Sequence, residues 1–232
     1  MPNSYNLTPN TYFMTICVVI PAYNEETNIT QVVRGVSAVA DQVVVVDDCS
    51  VDQTARLARQ AGAVVLKHII NRGQGAALRT GTDWAVEQGF AIIVHFDADG
   101  QFQTADLPVV VGPLLAGRAD IVFGSRFLGA APTMPFLKKY FLLPVARWVN
   151  RWLFGVLLTD PQSGFRAFTS AVARRLKWRQ DRMAHASEIL ALSQRQGWRF
   201  SEAPITVVYN HFGQGLGGGL KIMKDLFIKK LM

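Results

Sequence analysis

Asp97 and Asp99 are separated by one small residue, Ala98, and follow the β-like run Phe90 to Phe96. Side chains two positions apart in an extended chain point to the same side. Both carboxylates can therefore address one hard cation, Mg2+ or Mn2+. Such a cation would bridge the phosphates of a nucleotide and neutralise a departing diphosphate. Gln101, two residues on, offers an amide oxygen to the same ion. A polar turn after a strand is the plain alternative for an isolated Asp-x-Asp, so the neighbouring strand ends have to decide.

Those ends are also polar. The run Val43 to Val46 leads into Asp47 and Asp48. One of these can accept hydrogen bonds from a base or ribose, while the other caps a turn. The run Ile16 to Ile20 leads into Pro21-Ala22-Tyr23-Asn24-Glu25, and Asp120 to Phe123 leads into Ser125 and Arg126. Arg126 is a planar cation suited to phosphate oxygens. Asn71-Arg72-Gly73-Gln74-Gly75 opens a helix, where backbone N–H groups can face an anion. It is not a dinucleotide fingerprint: it follows the third strand, and Leu78 occupies the last glycine position. The first strand turn lacks the fingerprint as well, which counts against a nicotinamide enzyme. Asp160-Pro161-Gln162-Ser163-Gly164-Phe165-Arg166 is either the lining of an acceptor site or an ordinary loop with a salt bridge. His185 and Glu188 are three apart and share one helix face. No Ser-His-Asp or Cys-His set stands out, and Cys17 and Cys49 read as buried, reduced thiols.

The elements that must hold these residues alternate. Strands are expected at 16–20, 43–46, 63–66, 90–96 and 120–123. Helices are expected between them: one ending near Ala40, one opened by a Ser50/Gln53 capping box and closed by Gly62, and one over 75–88 stopped by Gly89. Thr104 is placed to cap another that ends near Gly117. This alternation implies an α/β fold with a mostly parallel sheet, in which ligands bind beyond the carboxyl ends of the strands. Further on, 186–196 reads as a helix and 205–209 as a strand. The segment 136–158 combines Trp148 and Trp152 with Arg147 and Arg151, the mixture of an interfacial amphipathic helix. It is too interrupted to span a bilayer.

The chain has 232 residues, half of them apolar, enough for one α/β domain with a substantial core. Residues 1–14 read as a flexible arm without the pattern of a signal peptide. Residues 15–212 form the domain, divided into a nucleotide half (15–128) and an acceptor and membrane-facing half (129–212). Residues 213–232 make a Gly-rich segment and a basic amphipathic tail. The net charge of +7 suits an acidic partner such as a nucleotide, a lipid phosphate or an anionic membrane. Nucleic acid is disfavoured, because the aromatics cluster with leucines and form no stacking surface.

Taken in order, VVIPAYNEETNI, VVVVDDCSVDQT, NRGQGAALRTG, HFDADGQ, DIVFGSRFLG and DPQSGFRAF resemble family 2 glycosyltransferases with the GT-A fold. The likeness is greatest to dolichyl- and polyprenyl-phosphate sugar synthases and covers roughly residues 16 to 170. It implies an inverting, metal-dependent hexosyltransferase that uses a nucleoside-diphosphate sugar and Mg2+ or Mn2+. Pro21, Ala22, Tyr23, Glu25 and Arg72 would line the nucleotide, and Asp48 would bind the nucleoside. Asp97, Asp99 and Gln101 would hold the metal beside Ala98, and Arg126 would meet phosphate. Asp160 and Arg166 would border the donor or acceptor pocket, with Glu188 near them.

A lipid phosphate acceptor needs no strong base, since its oxygen is already anionic. A sugar hydroxyl acceptor needs a carboxylate to remove its proton, Asp160 first and Glu188 second. One departure from the family concerns the acceptor: its basic segment near the domain end is replaced by Tyr209-Asn210-His211-Phe212-Gly213, leaving His211 or the tail lysines to serve. The expected attachment is peripheral, on the cytoplasmic inner face of a membrane, with a small membrane protein as a further partner. A family 2 enzyme acting on a sugar hydroxyl and a non-catalytic nucleotide-binding subunit are the alternatives.

Overall fold

Runs of β-branched residues form a twisted sheet whose two faces are filled by alternate side chains of the same strands. The computed structural model describes residues 15–128 and 158–208. Its elements are, in chain order, β1 (Ile16–Ala22), α1 (Ile29–Ser37), β2 (Gln42–Asp47), α2 (Thr54–Gln60), β3 (Val64–Lys67), α3 (Gln74–Glu87) and β4 (Ile92–His95). A 3-10 turn (Thr104–Asp106) then leads into α4 (Leu107–Leu115), followed by β5 (Ile121–Ser125), β6 (Arg166–Thr169), α5 (Ser170–Arg175), α6 (His185–Arg195) and β7 (Phe200–Pro204).

The seven strands lie in the order β3-β2-β1-β4-β6-β5-β7. β1 pairs in parallel with β2 and β4, β2 with β3, and β5 with β7. β6 runs antiparallel to both β4 and β5. The other six strands therefore share one direction and deliver their carboxyl ends to one edge. The first residues of β6 lie at that same edge.

The side-chain period of two sorts the core. Val18, Ile20, Val43, Val45, Ile92 and Val94 pack under α1 and α4. Cys17, Val19, Val44, Ile93 and Phe168 face α3, α5 and α6. α1 buries Ile29, Val32, Val33 and Val36, the i, i+3, i+4, i+7 stripe of an amphipathic helix. α3 lies close on β1: a Cβ on Gly81 would overlap Val19 Cγ1. Burial of Cys17 pushes its thiol up to about 12, as befits a core residue.

Several expectations shift. α2 starts at Thr54 with Gln53 at its cap position and no side-chain cap bond, so the Ser50/Gln53 box does not form. Ser50 Oγ accepts from the Asn24 N–H of the neighbouring loop instead. Thr104 opens a 3-10 turn and makes no cap hydrogen bond. The strand expected at 205–209 lies earlier, at Phe200–Pro204, and Val207 makes only an isolated antiparallel bridge to Phe102. β6 and α5 were not expected from the sequence. Gly62, Gly89 and Gly117 do end their helices, each with positive φ. No helix among the described residues is long and apolar enough to cross a membrane. The N-terminal arm, the interfacial helix at 136–158 apart from Leu158, His211 and the basic tail lie outside the described residues.

Candidate active site

The loops after β1 and β2 are tied into one cradle. Asn24 and Cys49 adopt left-handed backbone (φ 56° and 68°), uncommon for residues with side chains. Asn24 N–H donates to Ser50 Oγ at 2.9 Å, and Val51 N–H donates back to Asn24 Oδ1 at 3.0 Å. Glu25 N–H donates to Thr54 Oγ1 at 2.8 Å, and Gln53 N–H to Glu26 Oε2 at 3.0 Å. Pro21 and Ala22 are buried in β1, so their backbone and not their side chains borders the cradle, whereas Tyr23 is half exposed.

Asp47 and Asp48 divide their work. Asp47 Oδ1 accepts from Ser50 N–H at 3.0 Å, which caps the turn. The buried Asp48 carboxylate holds the β3–α3 loop: it accepts from Arg72 N–H (2.9 Å) and Gly73 N–H (2.6 Å). Its Oδ1 also lies 2.7 Å from His68 Nδ1, while His68 Nε2 meets Thr80 Oγ1 of α3 at 2.9 Å. A carboxylate has about four acceptor positions, and three are taken here. Asp48 thus shapes the loop that carries Arg72 and opens α3.

Asp97, Asp99 and Glu25 gather beyond β4 and β1. Gln74 Nε2, at the start of α3, donates to Asp97 Oδ1 at 2.8 Å. Asp99 Oδ1 accepts from Gln101 N–H at 3.0 Å. Burial pushes the Asp97 carboxyl up to about 6, with the Asp99 charge adding to the rise and Arg166 and Gln74 opposing it. Glu25 is raised by burial against a hydrogen bond from Asn28, and the Asp99 and Asp52 charges add to it. Asp97 and Glu25, both raised by the neighbouring Asp99 charge, fit a cation, which would relieve the repulsion. Among the described residues no group of three His, Cys, Asp or Glu side chains is arranged to hold a metal unaided. An ion held by Asp97, Asp99 and Gln101 would complete its shell with water and phosphate oxygens, the usual habit of Mg2+.

The turn before β6 closes on this group. A Cβ on Gly164 would overlap Asp97 Oδ2, so only glycine lets the turn approach. Asp160, 2% exposed, accepts from Arg126 Nε at 2.6 Å and from Arg126 Nη2 at 2.8 Å, a bidentate pair. Glu202 of β7 steadies the turn by accepting from Thr159 N–H and Thr159 Oγ1, both at 2.7 Å. Thr159 Oγ1 also bonds Ser125 Oγ at the end of β5.

Three expected site residues have other settings. Arg166, expected beside the acceptor, is 1% exposed and lies beneath Asp97, opposite His95 in the β4–β6 register. Burial pushes its guanidinium down to about 10 against the opposing Asp97 charge. Burial and the Arg166 charge hold His95 well below the usual histidine range and push His185 down to about 3, so both are neutral. Glu188 accepts from Arg179 N–H (3.0 Å) and Gln180 N–H (2.8 Å), which anchors the segment before α6. Asp160, the first choice as a base, is engaged by Arg126. Sequence reasoning assigned no part to His68, Glu202 or the Gln74 side chain. The signal for Gln74 was its place in Asn71–Gly75; the other two carried none.

Against known proteins, the sequence pattern of glycosyl transferase family 2 matches residues 17–177. The chain is 31% identical to a UDP-N-acetylglucosamine–dolichyl-phosphate N-acetylglucosaminyltransferase of Methanococcus voltae, over 94% of this chain and 95% of that protein. It is also 31% identical to a polyprenol monophosphomannose synthase of Mycolicibacterium smegmatis, over 90% and 83% of the two chains. The fold superposes on glucosyl-3-phosphoglycerate synthase from Mycobacterium tuberculosis in complex with Mn2+ and UDP-glucose, with a TM-score of 0.70 at 22% identity over 93% of this chain and 77% of that one. With the six motifs arrayed along one sheet edge and the family pattern spanning most of the domain, the chain belongs to glycosyl transferase family 2 and is a glycosyltransferase of the GT-A-like fold.

Proposed function

We propose that this enzyme transfers a hexose from a UDP- or GDP-sugar to a polyprenyl or dolichyl phosphate at a membrane surface, with inversion at the anomeric carbon. The observation that carries this reading is the engagement of both candidate bases. Asp160 is paired with Arg126 and Glu188 with two backbone N–H groups. A hydroxyl acceptor needs a free carboxylate of suitable pKa, whereas a phosphate oxygen attacks without one. The two named relatives, one a dolichyl-phosphate N-acetylglucosaminyltransferase and the other a polyprenol monophosphomannose synthase, support the same acceptor class.

In this mechanism the cradle of Tyr23, Glu25 and the backbone at Pro21 and Ala22 receives the nucleoside, with Asp48 holding the loop that brings Arg72 to it. The acceptor phosphate oxygen attacks the anomeric carbon as the bond from that carbon to the β-phosphate oxygen breaks. The electron pair leaves on the nucleoside diphosphate. Asp97, Asp99 and Gln101 would hold a divalent cation, which would neutralise charge on that leaving group. Arg126, oriented by Asp160, adds a fixed positive charge where negative charge develops.

The test is transfer of radiolabel from UDP-glucose, UDP-galactose, UDP-N-acetylglucosamine and GDP-mannose into an organic-soluble fraction. Polyprenyl phosphate is present in detergent, with Mg2+ or Mn2+ added or chelated. One donor is expected to label lipid, with activity falling at least a hundredfold under chelation and in Asp99→Ala. Nucleotide binding without labelling from any donor would overturn the lipid-phosphate reading.

A further inference from the structure

From the last turn of α5 to the start of α6 the chain is strongly basic on its exposed side, and the part after α5 forms a strap along α3. Residues 174–182 contain Arg174, Arg175, Lys177, Arg179 and Arg182 but one acidic residue, Asp181. All five cations are exposed. The strap is fixed along the helix in antiparallel sense. Lys177 Nζ meets Asp83 at 2.7 Å near the helix end. Arg79 Nη1 donates to the Trp178 carbonyl at 3.2 Å, and the buried Trp178 Nε1 donates to the Gly75 carbonyl at 2.9 Å. Ala76 N–H donates to the Asp181 carbonyl, and the Arg182 stem lies within 2.9 Å of where a Gly73 Cβ would stand. From Asp83 to Gly73 this covers ten helix positions, about 15 Å at 1.5 Å per residue.

Asp181 is already paired with Arg79 at 2.5 Å, so it does little to offset the array. Arg174, Arg179 and Arg182 have no carboxylate partner among the described residues. The strap ends at Met183, 57% exposed, beside the β3–α3 loop, whose tip carries Ile69 (95% exposed) and Ile70 (66% exposed). Fixed cations that run into solvent-facing apolar tips match an anionic bilayer surface: the cations meet headgroups and the tips enter the layer beneath. An RNA would need stacking aromatics, and Trp178 is buried.

We propose that this strap, with the Ile69–Ile70 tip, is a docking surface for an anionic membrane that brings the carboxyl edge of the sheet to the bilayer. The proposal rests on the lipid-phosphate reading for its purpose but not for its test. The experiment is flotation of the whole chain with vesicles of phosphatidylcholine alone or with 30% phosphatidylglycerol, in low salt and in 0.5 M NaCl. The variants are Arg174→Gln/Arg179→Gln/Arg182→Gln and Ile69→Ser/Ile70→Ser, with melting temperature and UDP binding measured alongside.

The wild type is expected to float with anionic vesicles only and to be released by salt. The arginine variant is expected to lose at least tenfold in partitioning, and the isoleucine variant several-fold, with both still folded. Equal binding to neutral vesicles, unchanged flotation of the folded arginine variant, or strap-dependent binding to RNA without vesicle binding would each overturn the proposal. If the arginine variant does not fold, single Arg179→Gln replaces it, and an unchanged partition then counts against the surface. Strap-dependent flotation without lipid labelling in detergent would sink the lipid-phosphate reading and leave the docking surface standing.

Discussion

Asp97 links electrostatics to ligand binding most directly. Its folded pKa of about 6 lies above the ordinary aspartate value of about 3.9, so the metal-free protein holds that proton more tightly than the unfolded chain does. The associated stability is complete below about pH 3.9 and is lost as pH rises through about 6, on the order of 3 kcal/mol. Melting the metal-free protein from pH 4 to 7 should show this decline, and Asp97→Asn should flatten it. Metal binding should strengthen over the same window, because the cation needs the carboxylate. Asp160 gives a second prediction. Its side chain serves Arg126 twice, so Asp160→Asn should lower stability on the order of 2 kcal/mol and reduce transfer by releasing Arg126. A variant that keeps its melting temperature and loses only kcat would instead mark Asp160 as a base for a hydroxyl acceptor.

At the scale of elements, two close approaches separate folding from function. α3 packs on β1 through Gly81, and the turn before β6 packs on Asp97 through Gly164. Gly81→Ala should destabilise by about 1–3 kcal/mol through overpacking, while the folded fraction binds nucleotide and metal normally. Gly164→Ala should displace the Asp97 carboxylate and weaken Mn2+ binding at least tenfold with a smaller loss of stability. Denaturant melts and titration calorimetry on both variants check the contrast. Equal metal affinity in Gly164→Ala and wild type would show that Asp97 does not need its present position. The same scale explains the missed elements. β6 is four residues long and begins with a buried arginine, so neither its length nor its pattern announced a strand. The Ser50 cap failed because its hydroxyl serves a loop 26 residues away.

At the scale of the whole molecule, six like-directed strands among the described residues make a single edge, and its acidic centre suits a cation and, through it, a diphosphate. Each would complete what the other lacks. The nucleoside diphosphate of the active donor, UDP or GDP, and Mn2+ together should therefore raise the melting temperature more than the sum of either alone. With that nucleotide near a hundred times its Kd, the stabilisation should be about 2.7 kcal/mol. Thermal melts with UDP or GDP, with Mn2+, with nucleotide and Mn2+ together, and with both plus chelator test this, and simple additivity for both nucleotides would speak against a shared site.

The sequence by itself determined the parallel half of the sheet, most helix stops and the family. Valine runs, glycine stops and the Asp-x-Asp pair act over a few residues, so each leaves a local trace. Its reading of Asp48 as a ligand contact was incomplete, because the loop bonds that occupy Asp48 come from residues 20 to 25 positions away. Only the tertiary structure decided that β6 slots between β4 and β5, and with it the neighbours of Asp97. It also decided that Arg126 pairs with Asp160 across 34 residues, that Arg166 lies under the site and off its rim, and that a basic strap runs along α3. These depend on register, burial and long-range charge pairing, which emerge when distant segments share one edge and have no signature in the order of residues.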